Sequence, residues 1–164
     1  SMKTIEGFRL PRYREIPNVG LYLEQVAKYI NGYLNVLGYA DITPSMISNY
    51  VKQGMVNKPV GKLYYADQIA HLVFIAVAKN IISMENIRKL FEMQRKVYTD
   101  QVAYDYFCSE LENMLYYIFG FKDSVDTIGT TDSPEKEMLR SLIIAVAHMI
   151  YLSYGFEKIK EVQK

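Results

Sequence analysis

The stretch ITPSMISNYVKQGMVNKPVGKLYY, residues 42–65, carries three lysines and no carboxylate. The whole chain of 164 residues holds 19 Lys and Arg against 18 Asp and Glu, so the missing acidic residues are a local feature. Thr43 followed by Pro44 reads as a helix start: the hydroxyl can accept from a free backbone N–H, and proline has no N–H to satisfy. Met46, Ile47, Tyr50 and Val51 then share one face, leaving Ser45, Ser48, Asn49, Lys52 and Gln53 on the other, and Gly54 supplies the stop. Beyond that stop, Asn57, Pro59 and Gly61 break the chain into short extended pieces, the composition of a small β-hairpin over residues 56–65.

Upstream, apolar residues from Leu21 to Leu37 recur in steps of three and four and predict an amphipathic helix closed by Gly38. Ahead of it Arg9, Arg12 and Arg14 surround Pro11 in an irregular arm, residues 1–20. Downstream, Ile69, Leu72, Val73 and Ala76 define a helix with Asp67 at its positive end, and Ser83 caps a short one carrying Ile87, Leu90 and Phe91. A longer helix runs through 97–119, with Phe107, Leu111, Leu115 and Ile118 on one stripe, and the polar residues 122–133 form a hinge. Ser133 and Pro134 open a last helix to about residue 154, apolar on nearly all sides between 142 and 152. That run falls well short of the roughly 20 residues that cross a bilayer, so the expectation is a helix covered all round by protein, with a second copy of the chain completing the cover. Residues 21–95 then make one domain, and residues 96–164 a helical dimerisation or sensing region.

Half of the residues are hydrophobic, enough for a substantial core. Cys108 is the single cysteine, which excludes an intrachain disulfide, and no signal peptide is visible, so the expected setting is the cytoplasm. Charge is unevenly spread. Residues 1–98 hold 13 Lys and Arg against 7 Asp and Glu, and residues 99–164 hold 6 against 11. A basic front part suits a phosphate-backbone binder, and an acidic rear part should stay off the same polyanion.

The order of helix, turn, short polar-faced helix, small hairpin and two more helices is the plan of a winged helix-turn-helix, in which the second helix enters the major groove. The runs ITPSMISNYVKQGMV, KLYYADQIAHL and ISMENIRKLF resemble the DNA-binding domain of MerR-type transcription regulators. More closely, LPRYREIP, LYLEQVAKYINGYL, MISNYVKQGMVNKPVGKLY and ISMENIRKL look like a bacterial domain family of unknown function with a MerR-like core, over about residues 9–120. The resemblance implies a mainly α protein: a MerR-like winged helix-turn-helix with a β-hairpin wing, then a helical C-terminal part. It sets Lys62 at the wing's arginine position and Tyr64 at its tyrosine. Two departures stand out: Ser48 replaces the usual recognition-helix arginine, and Ile81 a common glycine.

On this reading the partners are double-stranded DNA and a second copy of the chain. Ser45, Ser48 and Asn49 reach base edges, Asn49 with an amide that can pair bidentately with adenine, while Lys52, Lys58 and Lys62 contact phosphates. Arg9, Arg12 and Arg14 reach the backbone or minor groove unless the arm folds over the domain. Aromatic residues crowd the third quarter of the chain, among them Tyr98, Tyr104, Tyr106 and Phe107. Such a set is read first as core or dimer seam, with a pocket for a small-molecule effector as the alternative. No catalytic group, cofactor motif or metal-ligand spacing is visible, His71 and His148 being read as core or interface residues and Cys108 as an inert buried thiol. The rival function is a helical adaptor that binds another protein through the same scaffold.

Overall fold

The structure, a computed structural model, describes residues 5–39, 41–125 and 133–163. Six α-helices are described: α1 (Leu23–Leu34), α2 (Pro44–Lys52), α3 (Ala66–Ala78), α4 (Met84–Arg95), α5 (Asp100–Ile118) and α6 (Pro134–Gln163). The starts follow the capping chemistry. The hydroxyls of Thr43, Ser83, Thr99 and Ser133 accept from the backbone N–H groups of Met46, Asn86, Val102 and Lys136 at 3.1–3.3 Å. A 3-10 turn (Asn35–Leu37) extends α1, and Gly38 ends it at φ +79°, where a side chain would be strained.

The centre of the fold is α3. Twelve of its thirteen residues are buried, so the helix is enclosed by α1, α5, α6 and the N-terminal segment. An apolar helix of this kind gains stability from cover on every side, and backbone N–H groups at its start are satisfied by side chains: Asn18 Oδ1 accepts from Ala66 N–H at 3.0 Å, and Gln68 Oε1 from Tyr65 N–H at 2.7 Å.

No β-hairpin wing is present, and no sheet exists among the described residues. This corrects the winged helix-turn-helix expected from residues 56–65. The turn forms, because Gly61 (φ +56°) and Lys62 (φ +68°) take the left-handed conformations of a tight hairpin turn, and Val60 and Leu63 exchange two hydrogen bonds of 3.0 Å. The strands do not extend from it. The carbonyls of Asn57 and Lys58 are taken by Gln68 Nε2 at 3.2 and 2.9 Å, Pro59 has no N–H to offer a ladder, and Met55 and Val56 are drawn into the core. Tyr64 pairs outside the turn, exchanging hydrogen bonds of 2.9 and 2.8 Å with Leu21 in an isolated bridge.

The expected N-terminal arm folds over the domain. Ile5, Phe8, Leu10 and Ile16 are buried, and the segment is fastened to α5: Tyr104 and Tyr116 donate hydroxyl hydrogen bonds to the Pro11 and Phe8 carbonyls, and Asp105 Oδ1 accepts from Tyr13 N–H at 2.8 Å.

The last helix reaches Gln163, beyond the expected end near residue 154. At 30 residues, with an 18-residue window of mean hydropathy 1.4, it is long and apolar enough to cross a membrane by length and composition alone. Its first half packs along α5 through Leu142, Ile143, Val146, Ala147 and Ile150. The protomer does not cover it all round: Ile144, Leu152, Phe156 and Ile159 are exposed. Residues 126–132 of the expected hinge lie outside the described residues.

Candidate functional site

Helix α2 is anchored by only two fully buried side chains, Ile47 and Tyr50, with Met46 and Val51 half-buried beside them. Its outer face is consequently free. Ser45, Asn49, Lys52 and Gln53 are exposed, whereas Ser48 is half-buried in a shallow depression. That depression is lined by the start of α1, by Ser48 and by the turn residues Pro59 and Lys62, so the fold brings Ser48 and Lys62 to one surface. Glu24, in the first turn of α1, lines it too and is its one carboxylate. Lys52 and Lys58 are exposed, and Arg88 reaches from α4 to donate to the Gln53 carbonyl at 2.6 Å, adding a cation at the C-terminal end of α2.

The arm's arginines are placed elsewhere. Arg12 makes a bidentate contact with Glu112 of α5 at 2.6 and 2.8 Å, and this hydrogen bonding holds its guanidinium even more firmly protonated than usual. Arg9 is paired with Glu15 at 2.7 Å, and Arg14 is exposed.

A second feature lies apart from the α2 face. A cavity of about 290 Å³, partly open to solvent, is walled by α3, α4, α5 and the first turns of α6. Four of the aromatic residues picked out by the sequence, Tyr98, Tyr104, Tyr106 and Phe107, line it, joined by Phe74 and Phe91. The rings meet edge-on or tilted, Phe74 lying 5.0 Å from Phe107 and 5.5 Å from Phe91, an arrangement that fixes the wall. His71 stands in it, 4.9 Å from the Phe91 ring, with Nε2 3.7 Å from Asp100 Oδ1, and burial lowers its pKa and keeps the ring neutral. Sequence spacing could not pair His71 with Asp100, which are far apart in the chain and meet only because α3 and the start of α5 cross.

The other candidate groups are engaged. Cys108 is fully buried, its thiol pushed up to about 12 by desolvation. Glu110 accepts from Tyr106 Oη at 2.8 Å and faces Arg140, while Glu112 serves Arg12, so the two carboxylates point to different partners. His148, expected in a core or seam, is exposed in the protomer. Among the described residues no cluster of three His, Cys, Asp or Glu side chains could hold a metal ion.

Residues 11–113 match the model of a domain of unknown function, DUF1836. The chain belongs to that family. The family match spans α1 to α4 and most of α5, and therefore includes the α2 face and three of the four walls of the cavity; α6 lies outside it. It carries no support for a MerR-like winged core. No curated protein and no solved structure matches the chain.

Proposed function

We propose that the protein is a DNA-binding transcription regulator that lays α2 against the duplex, without a wing. The observation that carries this reading is the exposed face of α2, with Ser45, Asn49 and Lys52 outward, beside a turn that presents Lys58 and Lys62, in a stretch without a carboxylate from residue 42 to residue 65. An Asp or Glu on these residues would meet phosphates at close range, and Glu24 of α1 stands at the border of the face, beside Ser48. Lys62 adds a second argument. A non-glycine residue in the left-handed region costs roughly 1 kcal/mol, and a lysine where glycine would be relaxed fits a use for the ammonium group. Ser48, half-buried, contributes at the edge of the contact, while Arg9 and Arg12 are engaged by Glu15 and Glu112 and Arg14 is exposed on the N-terminal segment.

The test is the salt dependence of binding to a generic duplex. Affinity should fall steeply with ionic strength, with a log–log slope of about −0.9 per phosphate contacted. Replacing Lys52, Lys58 and Lys62 together by alanine should flatten the slope by up to about three units. An unchanged slope would remove these lysines from the contact, and shallow, salt-insensitive binding would favour the adaptor reading.

A two-fold protein suits paired half-sites, and α6 supports a second copy as partner. Leu152, Phe156 and Ile159 recur in steps of four and three and are each more than half exposed, the spacing of a helix seam. In this reading the uncovered apolar face meets another protomer, not a lipid, and the setting is the cytoplasm. Phe156→Glu should convert a dimer into a folded monomer by solution mass with an unchanged circular dichroism spectrum, since Phe156 has little to lose inside the protomer.

A further inference from the structure

The cavity walled by α3, α4, α5 and α6 opens partly to solvent, and it is too large to be a packing imperfection. Protein interiors rarely leave voids larger than a water molecule, and an apolar cavity of about 150 Å³ is known to take up benzene. At about 290 Å³ this one has room for a two-ring molecule. Its walls decide the rest. Phe74, Phe91, Phe107, Leu90 and Leu139 offer only carbon, so a charge set against these walls, away from Asp100, would have nothing to offset its lost hydration. The charged groups at the rim come in opposite signs: Glu135 and Lys136 are neighbours, and the Lys136 ammonium is spread over the rings of Tyr106 and Tyr98 at 5.3 and 5.9 Å.

One polar feature is left open by the protein itself. His71 Nε2 and Asp100 Oδ1 are 3.7 Å apart, beyond a normal hydrogen bond. The carboxylate can only accept, and no hydrogen bond joins it to the imidazole beside it. A donor on a bound molecule, set between the two, is what this pair lacks.

We propose that this cavity is a binding site for a small, uncharged, aromatic molecule of about two rings that presents one N–H or O–H to the His71–Asp100 pair. The site is independent of the DNA-binding reading, since none of the α2 or turn residues lines it. A bound ring would be walled by the phenylalanines, and its donor would fix its orientation.

Indole is the probe: neutral, bicyclic and carrying one N–H. Titrated into the full-length protein and followed by calorimetry and by chemical shifts, it should bind saturably at one site. Benzofuran, which has the same shape without the N–H, should bind about tenfold more weakly, the worth of one buried hydrogen bond. His71→Leu should remove that tenfold preference while leaving benzofuran binding nearly unchanged, a pattern that loss of folding would not give. Ala103→Phe should fill the space and abolish binding of both; Ala70→Leu serves the same purpose if the first variant fails to fold. Absence of saturable indole binding, equal binding of indole and benzofuran, or binding that survives a folded cavity-filling variant would each overturn the proposal.

Discussion

Glu112→Ala should cost about 3 kcal/mol of stability, read as a lower denaturant midpoint at unchanged slope. Glu112 is buried on α5 and performs two tasks at once: it takes both guanidinium hydrogen bonds of Arg12 and also accepts from Leu10 N–H at 2.9 Å. Its removal leaves a partly buried cation and a buried backbone donor without an acceptor, which is a far larger penalty than losing a surface ion pair. Glu112→Gln keeps an acceptor for Leu10 and should fall between wild type and alanine. The double variant Arg12→Met with Glu112→Leu should recover most of the loss, because replacing both members of a buried pair with apolar groups is close to neutral. A cost near zero for the single alanine variant would mean that the N-terminal segment does not depend on this contact.

Phe107→Ala should be of similar size, about 3 kcal/mol, at the lower end of the range for a buried aromatic side chain. The ring is 2% exposed, lines the cavity and packs against Phe74 and Tyr104. For a chain of this length the melting temperature should drop by roughly 10 °C. The variant also enlarges the cavity, so a ring system bulkier than indole should restore part of the lost stability when added in excess. A loss well above 5 kcal/mol would instead indicate that the ring is packed on every side and that no cavity adjoins it.

Local chemistry made much of the helical plan legible. Thr43 with Pro44, Ser83, and Ser133 with Pro134 marked three helix starts, since capping depends on residues within one turn of each other. The start of α5 escaped because Val97 and Tyr98 ahead of Thr99 carry the apolar pattern across the boundary. The hairpin was misread for a different reason. Its turn signal, Gly61 and Lys62, was real, but whether flanking residues pair as strands depends on what competes for their backbone groups, and Gln68, buried in α3, takes two of those carbonyls.

The α2 face was visible as a pattern of polar residues opposite Ile47 and Tyr50, and the exposure of Asn49 and Lys52 follows from helical periodicity alone. Glu24 beside Ser48, and Arg12 bound to Glu112, were not visible, because both depend on how distant segments dock.

By itself the sequence determined where the capped helices α2, α4 and α6 begin, which side of most helices is apolar and where acidic residues are absent, all quantities set by neighbours within a few positions. Tertiary structure decided that the N-terminal segment belongs to the core, that the turn before α3 stays a turn, and that His71 and Asp100 share a cavity with six aromatic side chains. The reason is physical: these outcomes come from competition for buried hydrogen bonds and apolar volume among segments far apart in the chain, such as Arg12 and Glu112 at a separation of 100 residues, and no local pattern records who wins it.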